Sequence, residues 1–318
     1  MNNTTLVATL VEVGWALRYV AYFDVASLTF VVAEIWHSLP DEVSLVWHSK
    51  WSMGKTLFLL SRYLGFFDIS VAIYYTSAAN GVKLCERLFA AGSTLQVVGV
   101  ALAETILYLR VFALSAKSFR LGVLLAILFV GFHTATLVFL TKFIQSLEYV
   151  KSPAPTIIGC FPVKMSTKDL SIITALVMSS EVVILAMTIW LVLAKFKRSK
   201  SRLVTLMYRD GLVYFVLLTA ISAGNMICYF VAPPGYSFLL ITPQRALHSI
   251  LATRMVLHLR KMYGPSVDET PGGIPLSEIV CAVPAHVYTD PESVQTLKKP
   301  YMEIVAWPDR EQHVPRSE

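Results

Sequence analysis

Seven apolar stretches, residues 13–36, 56–79, 88–113, 121–140, 170–194, 211–232 and 238–259, each have the length of a helix that crosses a bilayer. Hydrocarbon offers no hydrogen-bond partner to a peptide group, so an inserted segment of this kind must satisfy its backbone internally, as a helix. That constraint points to one fold class: an all-α, polytopic membrane bundle of seven transmembrane helices. Composition agrees. Hydrophobic residues make up 55% of the 318 positions and charged residues 15%, where soluble domains average about 25% charged. The stretch 121–140 is interrupted only by His133, and 211–232 contains no charged residue. The first stretch carries Arg18, Asp24 and Glu34. A buried amphipathic helix competes there, but its length and the six stretches that follow favour a crossing.

The chain divides into a short outer segment (1–12), the membrane region (13–261) and a tail (262–318). The tail holds eight of the fifteen prolines, nine acidic and four basic residues, and no long apolar run. It buries too little surface to offset its ordering entropy and reads as disordered. Its patches from Ile279 and from Tyr301 have the size of short docking motifs. No Lys or Arg precedes Arg18, so a basic signal-peptide region is absent and the first helix reads as an uncleaved anchor.

Basic residues decide orientation. Alternate loops carry thirteen Lys and Arg on one side, including Lys50, Lys55, Arg110, Arg209, Arg260 and the run from Lys195 to Arg202, against six on the other. The richer side is the cytoplasmic one, which puts the N-terminus outside and the C-terminus in the cytosol. The net charge of +6 is therefore a topology signal rather than a nucleic-acid footprint. On the outer side fall two glycosylation sequons, at Asn2 and Asn3, and Cys85 and Cys160, candidates for a disulfide in an oxidising compartment. Cys228 and Cys281 fall where free thiols are expected.

The stretch from Tyr22 (Tyr-Phe-Asp-Val-Ala-Ser-Leu), the stretch from Leu39 to Trp47 and the stretch from Trp51 to Tyr63 form a recognisable series. It resembles the N-terminal domain of unknown function found in multi-pass membrane proteins of mushroom-forming fungi. Leu109 to Leu114 and His248 to Arg260 are also similar to that family. The resemblance implies a seven-helix integral membrane protein across the membrane region, outside the variable tail, and it implies no activity.

Ionisable residues inside a bilayer are costly and gather where function or packing needs them. Two groups stand out. Arg62 lies at a depth similar to Glu104 and near that of Glu34, so either carboxylate is a candidate partner. Asp24, Asp68, Glu181, Gln244, Arg245 and His248 lie nearer mid-membrane or the outer half. Converging faces would make them a polar cavity open to the outside, suited to a small polar ligand or a proton relay. Diverging faces would make each a separate packing contact.

Several classes are set aside by what is missing. No Lys stands in 238–259 to form a retinal Schiff base. No phosphate-cradling GxxxxGK loop and no GxSxG elbow occurs, and the seven histidines show no metal-ligand spacing. The expectation is thus no catalytic residue, no cofactor and no metal. The receptor-like reading rests on helix count, orientation, the outer cysteine pair and the basic loop, which suits an acidic cytosolic protein at Lys195 to Arg202. The chain departs from the major receptor class in lacking an acidic-Arg-aromatic triplet around Arg110 and an Asn-Pro-x-x-Tyr sequence in the last helix. The alternative is a small-solute or proton transporter working through the charged mid-membrane group. Lipid bilayer and an external small-molecule ligand are the expected partners, in a plasma membrane or endomembrane.

Overall fold

Apolar residues hold a helix in lipid, but its ends lie where polar residues let the chain turn, so the observed helices outrun the apolar stretches that announce them. The computed structural model describes residues 3–77, 81–115, 118–150, 160–196, 202–233 and 235–267. Seven long helices occur there in order: α1 (Asn3–Glu42), α2 (Met53–Ser77), α3 (Val82–Leu114), α4 (Phe119–Ser146), α5 (Thr167–Phe196), α6 (Arg202–Val231) and α7 (Ile241–Val267). A π-helical segment, Val43–Trp47, prolongs α1, and a 3-10 turn, Tyr236–Phe238, leads into α7. Six of the seven, α1 to α6, are long and apolar enough to cross a membrane. The chain is a mostly helical, multi-pass membrane protein by this criterion.

Three of the differences from the expected boundaries matter most. α1 begins at Asn3, so residues 3–12, the short outer segment of the sequence reading, are part of the first helix. α1 also continues through Pro40 to Glu42, beyond the expected end at 36. Proline removes one helical N–H and crowds the preceding turn, and the wider π turn follows directly. At the other end, α7 runs on to Val267, so residues 262–267 continue the helix. The rest of the tail, with Cys281 and both patches, lies outside the described residues, as do Asn2 and residues 197–201 of the basic loop.

The all-α expectation has one exception. Between α4 and α5, strands β1 (Glu148–Val150) and β2 (Phe161–Lys164) pair antiparallel. Tyr149 of β1 meets Tyr75 of α2 hydroxyl to hydroxyl at 3.1 Å, and burial pushes the Tyr149 hydroxyl up to about 12. A disulfide joins Cys85, in the first turn of α3, to Cys160, the residue before β2. The ribbon is thereby fixed to one end of the bundle, called the ribbon end below.

Burial is inverted relative to a soluble protein. Ile127 is 64% exposed and Phe230 76%, while Asp68, Glu104 and His248 are fully buried. Lipid removes the usual penalty for exposed apolar surface, and polar side chains turn inward to find partners. α3 packs against α2, α4, α5 and α7. Its buried positions Cys85, Gly92, Gly99 and Ile106 recur every seventh residue, two helical turns apart on one face. α7 packs against α1, α2, α3 and α6. From Gln244 to Arg260 only Arg254 and His258 are exposed. That burial explains why α7 is the one helix too polar to meet the crossing criterion: neighbouring helices, not lipid, solvate most of its surface.

Candidate functional site

The inward polar residues sort into three levels along the bundle. At the ribbon end lies a cavity of about 440 Å³, lined by parts of all seven helices and by Cys160 and Pro162. Its wall is mainly apolar, with Phe89, Phe143, Leu140, Ile173 and Phe238 contributing. Polar groups enter from α1 (Asp24), α3 (Gln96), α6 (Asn225) and α7 (Thr242, Gln244, Arg245). Arg245 is 1% exposed and directs Nε to Asp68 Oδ2 at 2.8 Å. Its Nη1 and Nη2 have no hydrogen-bond partner. The guanidinium is accommodated by Gly99: a Cβ at that position would stand 2.2 Å from Nη2 and 2.5 Å from Cζ. Three features therefore define the arginine: an acidic clamp on α2, a glycine on α3, and two donors left over.

Below the cavity is a mid-bundle cluster. His248 Nε2 lies 2.8 Å from Glu181 Oε1. Gln244 donates Nε2 to the same carboxylate oxygen at 3.1 Å and to Ser222 at 2.6 Å, while Asn225 holds the Gln244 carbonyl. Glu104 accepts from Ser180 at 2.5 Å and faces His133 at 3.4 Å. Glu104, Glu181 and His248 bring their polar atoms within 4.8 Å of one another.

At the far end, α1 and α2 close on an ion pair. Arg62 Nε stands 2.8 Å from Glu42 Oε2. Its Nη2 also donates to Ser38 Oγ at 2.7 Å and to the Ile35 carbonyl at 3.1 Å. Glu42 further accepts from Trp47 Nε1 and Tyr63. Lys55 Nζ donates to the carbonyls of Trp47 and Ser49 at 2.8 and 3.0 Å, a cation on the free carbonyls at a helix end. Next to this, Arg254 of α7 binds Glu34 of α1 through Nε at 2.6 Å.

The pairings expected for Arg62 are corrected by this geometry. Neither Glu104 nor Glu34 is its partner: Glu104 turns to Ser180 and His133, Glu34 to Arg254, and Arg62 to Glu42. Glu42 escaped the sequence reading because the first apolar stretch ends at residue 36. With α1 continuing, Glu42 comes level with Arg62. The six cavity candidates split. Asp24, Gln244 and Arg245 line the cavity, whereas Asp68, Glu181 and His248 are buried partners beside or below it. Asn225, Thr242, Ser222, Ser180 and His133 complete the network and were not singled out. Uncharged polar residues are common in helices, and only convergence distinguishes these. Glu104, His133, Glu181 and His248 meet from four different helices, so no local spacing announces the cluster. Asn3, the second sequon residue, is the first residue of α1.

No curated protein matches the chain. Residues 22–67 match a family of unknown function (DUF6533). That segment is the second half of α1, the π turn and the first half of α2, and it contains both members of the Arg62–Glu42 pair with Ser38, Trp47, Lys55 and Tyr63. The matched residues form a helical hairpin held by that ion pair, and the family they match has no assigned function.

Proposed function

We propose that this chain is a receptor-like membrane protein without catalytic activity, binding a small amphipathic ligand in the ribbon-end cavity. One observation carries the reading: a largely apolar cavity of about 440 Å³ whose wall includes a buried arginine with two donors that have no hydrogen-bond partner. Drug-sized ligand sites have this size and this mix of apolar wall and few polar groups. An apolar molecule bearing a carboxylate or another strong acceptor fits, with the acceptor on Arg245 and the apolar part against Phe89 and Phe143. The reading takes α7 as a seventh crossing and the ribbon end as the outer face. The distribution of basic residues and the disulfide at that end support this orientation. It also takes the chain as one of the fungal seven-helix proteins that its membrane region resembles, seated in a plasma membrane or endomembrane and meeting a cytosolic protein at the loop from Lys195 to Arg202.

Support for sensing over transport comes from the opposite half of the bundle. Val46, Leu57, Phe58, Ala103, Ile106, Ala252 and Val256 form an apolar core there, backed by the Arg62–Glu42 pair. A solute would have to part this core to pass. The test uses purified protein in nanodiscs with a panel of aromatic and medium-chain carboxylates, read by thermal stabilisation. At least one should stabilise wild type and not Arg245→Gln, and the same compound should show no flux into proteoliposomes. Flux abolished by Arg245→Gln would favour the transporter reading instead. No stabilisation by any member would refute the acceptor-on-arginine reading.

A further inference from the structure

The mid-bundle cluster holds more ligating capacity than the hydrogen bonds around it use. Glu104 on α3 and His248 on α7 are fully buried and Glu181 on α5 is 3% exposed; their ligand atoms lie within 4.8 Å of one another. His133 on α4 adds a second imidazole, with Nε2 3.4 Å from Glu104 Oε2. Glu104 Oε1, Glu181 Oε2 and His248 Nδ1 have no hydrogen-bond partner. Two carboxylates at membrane depth need a compensating positive charge. The buried arginine nearest in the chain to His248, Arg245, has its Nε on Asp68 at 2.8 Å.

We propose that this cluster binds a divalent transition-metal ion, held by Glu104, Glu181 and His248 with His133 as a fourth ligand. Two imidazoles and two carboxylates form the nitrogen and oxygen donor set that suits zinc and its first-row neighbours. The surroundings resemble those that orient metal ligands, because both carboxylates already accept hydrogen bonds from fixed donors. Ser180, backed by Tyr108 at 3.1 Å, serves Glu104. Gln244, fixed by Asn225 and Ser222, serves Glu181. Tetrahedral bonds of roughly 2.0–2.2 Å set ligand atoms about 3.4 Å apart, so the widest spacings close and the 2.8 Å Glu181–His248 contact opens slightly, a side-chain adjustment. His133 and Gln244 also line the cavity above, which supplies an entry path. The ion would neutralise the buried carboxylates and tie α3, α4, α5 and α7 together beneath the cavity. The proposal stands whether or not a carboxylate ligand binds above.

The competing state is a pair of carboxylate–imidazolium contacts holding protons instead of metal. The experiment takes the full chain with a histidine-free tag, strips it with chelator, dialyses it, and titrates zinc chloride while following thermal unfolding and bound metal. Expected are one zinc per chain, a raised unfolding midpoint, and loss of both in Glu181→Gln and His248→Gln. Gln244→Ala should weaken zinc by about 10–100-fold. His37→Gln and His258→Gln, at exposed histidines, should change nothing. X-ray absorption on zinc-loaded wild type, which needs no variant to fold, should show nitrogen and oxygen ligands with imidazole scattering. Absence of retained zinc and of any midpoint shift would overturn the proposal. So would a shift that survives Glu181→Gln and His248→Gln, or a sulfur-containing shell, which would move the ion to Cys228 or Cys281.

Discussion

Gly99→Ala adds one methyl group in the middle of α3 and should be among the most damaging small substitutions in the bundle. The added Cβ would stand 2.2, 2.5 and 2.6 Å from Nη2, Cζ and Nε of Arg245, well inside van der Waals contact. The arginine tip can move in principle, but the side chain is 1% exposed and its Nε is committed to Asp68 at 2.8 Å. Moving the guanidinium breaks that ion pair and leaves a buried carboxylate facing an unmatched charge. Breaking a buried pair costs about 3–5 kcal/mol, which on the scale of roughly 2–4 °C per kcal/mol lowers the unfolding midpoint by about 6–20 °C. Helix propensity, worth about 1 kcal/mol in favour of alanine, offsets little of this. The assay is thermal unfolding of detergent-purified protein, with Gly131→Ala as the control. No atom outside its own helix lies within 4 Å of a Cβ at that position, so Gly131→Ala should be neutral or slightly stabilising. In an Arg245→Met background, which leaves no guanidinium to collide with, the cost of Gly99→Ala should largely vanish. An unchanged midpoint in Gly99→Ala alone would refute the reasoning, because Arg245 would then not be held between α2 and α3 as described.

The Arg62–Glu42 contact should couple by about 1 kcal/mol or more in a double-mutant cycle of unfolding midpoints, whereas Arg62 with Glu104 should show no coupling beyond about 0.5 kcal/mol; the reverse pattern would restore the pairing expected from depth alone. Arg254→Ala should cost less than Arg62→Ala, because Arg254 is 48% exposed and Arg62 2% and screening weakens exposed pairs; equal losses would contradict that ranking. Reduction, or Cys85→Ser, should lower the unfolding midpoint. The 75-residue separation sets a chain-entropy ceiling of about 4 kcal/mol, and the effect should fall below it because α3 and α4 stay helical in the membrane when tertiary contacts are lost. Alkylation at both Cys85 and Cys160 without prior reduction would remove the bridge.

Much of the fold was legible in the residues because lipid makes hydrophobic length a direct physical requirement. Six apolar stretches became six helices long enough to cross. The seventh stretch, read from the sequence as a crossing, also became a helix, although Arg245, His248 and Arg254 help to leave α7 more polar than the six helices that are apolar enough to cross. Its burial among α1, α2, α3 and α6 is a property of the packing and cannot be read from its own residues. The ribbon between α4 and α5 was equally hidden, since seven residues of strand without strong alternation look like loop.

At the site, sequence and structure divide along the same line. Cost alone marks Asp24, Asp68, Glu181, Arg245 and His248 as residues that need a partner wherever the helices place them, and that much follows from residue type and depth. Which partner each takes depends on helix rotation and on where helices end. A residue on a helix turns by about 100° per position, so small changes of rotation decide whether a carboxylate faces an arginine or lipid. The end of the first helix shows how sensitive this is. With the apolar stretch ending at residue 36, Glu42 falls outside the helix and depth alone leaves Arg62 to Glu104 or Glu34. With α1 continuing to Glu42, Arg62 pairs there instead, and Glu104 is free to join Glu181, His133 and His248 from four separate helices. Sequence by itself determined that charges must be buried and matched, because hydrocarbon cannot solvate them. Only the tertiary structure decided the matching, because the partners lie far apart in the chain and meet through the packing of whole helices.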